Sequence, residues 1–441
     1  MHMRTRSTPW VWQGTSLAAS FVWALPRMWA YSVPGGRDLR LDLLRGFLVV
    51  AMVADHLGGH SLLTFVSGHN QFLVSAAEGF VFVSGVVAGI VYGGRVCRLG
   101  FAGAAAALLR RAALLHITTA ALTLAFIALF CLSDFPLWAD RAAGLGLPSP
   151  LEAVVGALTL HYTYQGTDVL SIYVLLVATS PVAFYLLSTK RTPLLLAGSW
   201  LLWAAYQAFP SQTVMPWPVQ NSIFPFAAWQ ALFITGIALG YHRRQLGWFA
   251  RLLGRVPVQL ALGAAMVGLI DLAQVRFEDR LADLAVPGLN DATFDFLFGK
   301  SNLGPGRVLA FAVVATLAQQ GLTRLWRPLR AALGWLLLPL GQASLLAYGT
   351  HLFLLGPTQA LFAPALFGQT STIWSATVAH AVPLLLILAL VKVRAAARQS
   401  ALSPVGLLHG FSSISTTSPQ GWLPTLFGLH TRTAELRCKD E

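Results

Sequence analysis

Apolar residues in this chain gather into long runs separated by short polar connectors. Ten runs stand out, at residues 42–65, 73–93, 111–132, 168–187, 193–209, 224–241, 256–275, 307–322, 336–355 and 373–393. Runs of about 17–25 residues are the signature of membrane-spanning helices. Spanning strands would alternate apolar and polar positions over about ten residues, and these runs do not. The pattern predicts an all-α polytopic membrane protein of about ten transmembrane helices, the eighth run being the shortest.

Composition agrees. Of 441 residues, 56% are hydrophobic and 11% charged, with a mean hydropathy of +0.64. Soluble domains carry about 25% charged residues. One helical membrane domain therefore fits better than two or three soluble ones. The net charge of +13 would suit a nucleic-acid partner, but its distribution argues against one. With the N-terminus placed inside, every basic residue falls in an inner segment except Arg141, Arg276, Arg280, Lys300 and Arg307. That asymmetry predicts an N-in, C-in bundle, the basic excess being topogenic.

Three regions follow. Residues 1–36 read as a basic, Trp-rich interfacial extension, residues 37–395 as the membrane domain, and residues 396–441 as a poorly ordered cytoplasmic tail. Two long outer connectors, about 133–167 and 276–306, hold eight of the seventeen acidic residues. Such loops serve as docking sites or as solvated connectors. Cys97, Cys131 and Cys438 are far apart and odd in number, with neither metal-ligand spacing nor a disulfide framework, so they read as incidental.

Polar groups inside the apolar runs carry the chemistry, because a charge at the centre of a spanning helix costs on the order of 3 kcal/mol. The first run holds Asp42, Arg45, Asp55 and His56. Eleven helical steps from Arg45 to His56 rise about 16 Å and turn about 20° past three full turns, so both lie on one stripe. Asp42, three residues before Arg45, is placed to pair with it. The second run holds Glu78 above a stripe of Gly85, Gly89 and Gly93. Small residues of this kind let a neighbouring helix approach closely. The first helix is the expected neighbour, which would bring Glu78 to His56 and hold a general base in one tautomer. A structural hydrogen bond between the two helices is the plainer alternative.

Arg95, Arg98, Arg110 and Arg111 crowd the following inner loop. They read as a phosphate clamp, although the positive-inside rule explains them equally. Ser344, Tyr348 and His351 recur at i, i+4 and i+7 on an apolar helix, a polar stripe suited to a substrate pocket shared with Asp42. His116, His161, His380 and Asp271 are isolated polar points with structural roles expected.

These segments together resemble the OpgC family, membrane proteins that succinylate osmoregulated periplasmic glucans. The likeness rests on residues 37–46 with Asp55 and His56, on the stretch from Ala76 through Glu78 to Gly85, and on weaker stretches around Asp168–Tyr173, Ala228–Gly236 and Gly341–Ser344. The Arg45-to-His56 spacing is also similar to that in the first helix of the wider acyltransferase-3 class. The resemblance implies acyl transfer from a cytoplasmic acyl-CoA, such as succinyl-CoA or acetyl-CoA, to a glucan or other cell-envelope glycan. No permanently bound cofactor or metal is implied.

The residues suit that chemistry. His56, oriented by Glu78 or Asp55, would deprotonate a sugar hydroxyl as it attacks a thioester. Arg45 and the Arg95–Arg111 loop would hold the donor's phosphates. A proton-coupled transporter of a polar solute would also place His, Glu and Asp in the membrane. It predicts flux without acyl-CoA consumption. A non-catalytic scaffold predicts that His56 is dispensable.

Overall fold

The computed structural model describes residues 37–68, 72–132, 149–164, 166–213, 224–278, 280, 290–369 and 371–402. The extension at residues 1–36 and the tail beyond Leu402 lie outside these. Among the described residues the chain is all-helical, with no β-strand. The helices are α1 (Leu39–Leu57), α2 (Leu62–Ser67), α3 (Ala76–Leu132), α4 (Pro150–Leu158), α5 (Asp168–Ser188), α6 (Thr192–Ala208), α7 (Pro210–Thr213), α8 (Phe226–Tyr241), α9 (Gly247–Leu253), α10 (Val256–Phe277), α11 (Asp291–Phe298), α12 (Pro305–Arg324), α13 (Trp326–Gln342), α14 (Ser344–Phe367) and α15 (Ile373–Leu402).

Every predicted run is helical, but three boundaries differ for local reasons. The first run was expected to continue to residue 65, whereas α1 stops at Leu57 because Gly58 and Gly59 adopt φ of +75° and +79°. Only glycine enters that region without strain. Ser61 then starts α2 with a capping box, its hydroxyl accepting from the Leu63 and Thr64 amides. The second and third runs join in α3, which turns at Gly100, where φ is +70°. The ninth run was expected to be one helix, but it breaks at Ala343, so α14 begins inside the bundle. At the other end, α15 continues to Leu402, into the segment read as tail.

Among the described residues, four helices are long and apolar enough to cross a membrane: α3, α5, α10 and α15. A fifth span arises if α12 and α13, bent by 100° at Leu325, are counted as one. The other runs fall short for physical reasons. Helix α1 carries Arg40, Asp42, Arg45 and Asp55 in 19 residues, and α8 has only 16. Counted as one span, α3 covers 54 residues, or about 80 Å, against a hydrocarbon core of about 30 Å.

Two apolar clusters organise the interior. One joins α3, α5, α6 and α8 through residues such as Leu108, Phe184, Trp229 and Phe233. The other joins α1, α13, α14 and α15 through Val49, Val53, Leu340, Leu355 and Ile387. Glycines set both helix crossings. Gly85 and Gly89 face Phe233, Gly236, Ile237 and Gly240 of α8, so the expected partner of that stripe, α1, is corrected to α8. Helix α1 instead crosses α13, where Gly46 meets the Leu337 backbone and Gly341 meets the Asp42 carbonyl. Backbones this close leave no room for a Cβ.

Candidate active site

Between the two clusters lies a cavity of about 560 Å³, within the size range of small-molecule sites. Helix α1 contributes Arg45, Met52, Asp55 and His56. Ser84, Tyr92 and Arg111 come from α3, Asp168 and Tyr173 from α5, and Ser344, Tyr348 and Leu352 from α14. Phe224 and Lys300 complete the charged and aromatic wall. The expected stripe is thus real: the cavity follows α1 from Arg45 to His56, about 16 Å along the helix axis.

At the Arg45 end, Arg45 donates from Nη2 to Ser344 Oγ at 2.8 Å. Its Nε is buried without a partner. Arg111 lines the same end and lies within electrostatic reach of Arg45. Ser344 and Leu345, which open α14, also line the cavity. The break at Ala343 therefore adds a helix N-terminus to two guanidiniums, an arrangement suited to anions.

The remaining arginines divide. Arg95 stacks its guanidinium 5.0 Å from the Tyr92 ring, and Tyr92 lines the cavity. Arg98 donates to the Gly94 carbonyl, and both Arg98 and Arg110 are exposed away from the cavity. Asp42 does not pair with Arg45. It accepts two bonds from Arg37, at 2.6 and 2.8 Å, on the turn before the helix. That hydrogen bond raises the Arg37 pKa above its ordinary value. Asp42 does not line the cavity.

At the other end, His56 is the penultimate residue of α1, exposed toward the cavity. Its Nδ1 lies 3.0 Å from His351 Nε2, with the rings stacked. His351 is buried, and its Nδ1 faces the Tyr348 carbonyl. A carbonyl only accepts, so His351 carries its proton on Nδ1 and presents Nε2 as an acceptor. His56 must then donate from Nδ1, which leaves its Nε2 as the basic atom. The Tyr348 hydroxyl donates to the Gly166 carbonyl. Asp55 lines the cavity and accepts from Ser67 Oγ at 3.2 Å.

Glu78 is the main correction. It is fully buried and ion-paired to Arg307, Nε to Oε1 at 2.5 Å. The Ser75 amide and hydroxyl donate to its other oxygen, at 2.8 and 2.6 Å. The partner of His56 is His351, supplied by a helix far along the chain. Glu78 is engaged elsewhere because its glycine stripe turns it toward α8 and α12 rather than α1. Cys97 is disulfide-bonded, which corrects the reading of the cysteines as incidental. His380 bridges Ser61 Oγ and the Gly58 carbonyl, each at 2.8 Å, the structural role expected of it.

Sequence reasoning missed Lys300, Asp168 and Tyr173 as cavity residues. The first had a signal, since Lys300 is one of five basic residues that break the inner-loop rule. The structure accounts for three of the others. Arg307 holds Glu78, Arg276 pairs with Asp291 and Asp295, and Arg280 pairs with Glu278. Arg141 lies outside the described residues.

No curated protein and no solved structure matches this chain. A family model described as OpgC protein matches residues 37–399. The chain belongs to that family, and membership implies a transferase, an acyltransferase that modifies glucans.

Proposed function

We propose that this member of the OpgC family is an integral-membrane O-acyltransferase that moves an acyl group, in our reading succinyl, from cytoplasmic acyl-CoA to glucan hydroxyls on the outer side. The observation that carries the reading is one continuous cavity along α1, with arginines and a helix N-terminus at one end and a histidine pair at the other. We take the bundle as ten crossings with both termini inside, in a bacterial inner membrane. The arginine end then faces the cytoplasm and the histidine end faces out.

The donor's phosphates rest on Arg45 and Arg111, with Arg95 held nearby by Tyr92. The N-terminus of α14 adds its positive pole. The extended pantetheine arm runs up the cavity and delivers the thioester to His56, so donor and acceptor meet although they approach from opposite sides. His56 Nε2 takes the proton of a sugar hydroxyl as that oxygen attacks the thioester carbonyl. The tetrahedral adduct collapses, the C–S bond breaks, and the imidazolium returns its proton to the leaving thiolate. The products are the sugar ester and free CoA thiol.

Two features favour the imidazolium formed on the way. His351 accepts the Nδ1 proton and passes the polarisation on to the Tyr348 carbonyl. The C-terminal end of the α1 dipole also faces the cation, worth about 0.3–1 kcal/mol. Direct transfer requires no acyl-histidine intermediate. Asp55 keeps the edge of the histidine site acidic and polar.

The test is reconstitution. Purified protein in liposomes receives labelled succinyl-CoA inside and a glucan outside. Labelled glucan outside, in step with CoA release inside, supports the reading. Solute flux without CoA release would replace it with a transporter.

A further inference from the structure

The turn that carries Lys300 is held more firmly than a connector requires. It follows α11 and runs from Gly299 to Gly304. Trp203 Nε1 donates to the Leu303 carbonyl at 3.0 Å, and Gln207 Nε2 to the Asn302 carbonyl at 2.6 Å. Trp229 Nε1 donates to the Ser301 carbonyl at 3.3 Å. Just before the turn, Arg307, anchored on Glu78, donates to the Phe298 carbonyl at 3.2 Å. Leu303 accepts a φ of +48° within this frame. An L-residue leaves the ordinary basins in this way only when its surroundings over-determine it.

The clamp fixes the backbone that carries Lys300, an exposed residue, at the wall of the cavity. Lys300 lines it with Nζ 5.9 Å over the Phe224 ring, and lies within electrostatic reach of Asp168. Among the described residues Lys300 forms no salt bridge. Asp168 lies near Tyr348, whose ring packs against that of His351, the partner of His56. Through Asp168 and Tyr348, Lys300 therefore connects to the histidine pair.

We propose that Lys300 is a specificity residue of the transfer reaction, binding a free carboxylate on the acyl group as the thioester reaches His56. This rests on the acyl-transfer reading above. An uncharged acyl chain gives an ammonium at the cavity wall nothing to bind, whereas a monoacylated dicarboxylic acid ends in a complementary anion. The ammonium lies over the Phe224 ring at the cavity wall, where a carboxylate on the acyl group forms a charge-assisted hydrogen bond with it. Asp168 opposite it guides the ammonium and repels a carboxylate placed out of register.

The liposome assay tests this with two donors, succinyl-CoA and acetyl-CoA, on the parent protein, Lys300→Gln and Lys300→Arg. The expected result is a loss of at least about tenfold in kcat/KM for succinyl transfer by Lys300→Gln. Acetyl transfer should stay within about twofold, and Lys300→Arg should recover most of the succinyl rate. A merely structural lysine would lower both donors alike. Equal loss for both donors, or no loss for either, overturns the assignment while leaving acyl transfer standing. No transfer from either donor by the parent overturns the acyl-transfer reading, and this proposal with it.

Discussion

Removing the Arg307 guanidinium should destabilise the fold more than removing both it and the charge it neutralises. Glu78 is fully buried, and its ion pair with Arg307 is 2.5 Å long. Arg307→Met leaves Glu78 with only its two bonds from Ser75 and no countercharge. A buried charge stripped of its partner costs about 3–5 kcal/mol. Glu78→Gln strands the guanidinium instead, and its Nη2 already lacks a partner. Its cost should be similar. The double variant Glu78→Gln/Arg307→Met removes both charges, so its cost should fall well below the sum of the singles. A coupling larger than the cost of the Glu78→Gln variant, about 3 kcal/mol or more, is expected, so the double variant loses less than Arg307→Met alone. The measurement is thermal unfolding of the four proteins in one detergent. Each single variant should lose several degrees of Tm, and the double variant should recover part of the loss. Additive losses, or an Arg307→Met protein as stable as the parent, would refute the claim that this pair carries a buried, mutually neutralised charge.

Three further outcomes follow from the geometry. Gly341→Val and Gly46→Val each drive a side chain into the α1–α13 backbone contact. Each should lower Tm and yield of folded protein by at least about 1–3 kcal/mol in stability, whereas Gly263→Val, with open space around it, should not. Arg45→Ala should raise the KM for acyl-CoA by on the order of tenfold or more, while Arg98→Ala and Arg110→Ala, which face away from the cavity, should leave it within about twofold. His351→Ala frees His56 from its tautomer and should lower kcat by on the order of 10²-fold with little change in donor KM. A KM effect without a kcat effect would place His351 in binding instead.

Helix positions and the Arg45–His56 stripe were legible in the sequence because both depend on short-range periodicity. What escaped were breaks and partners. Gly58 and Gly59 end α1 at Leu57, just past His56, and a glycine pair is a readable signal once its backbone is considered. The break at Ala343 has no such glycine pair, only Pro339 and Gly341 before it, and shows only in the packed structure. Helix neighbours were misjudged for the same reason. Gly85 and Gly89 announced a close partner but did not say which, and sequence proximity favoured α1 where α8 was the answer. That error paired Glu78 with His56, whereas its partner is Arg307. His351 was seen as part of a polar stripe, yet its place behind His56 needed a contact across nearly three hundred residues. Lys300 and Arg307 were visible as exceptions to the charge asymmetry. Their departure from the rule reflects one carboxylate to neutralise and one cavity to line.

The central claim is that His56 is the base of a transmembrane acyl transfer, and its most direct test is the rate of the His56→Ala protein in liposomes loaded with labelled acyl-CoA and facing glucan. The account predicts normal folding and donor binding with transfer reduced by at least about 10²-fold. Transfer at the parental rate would contradict it.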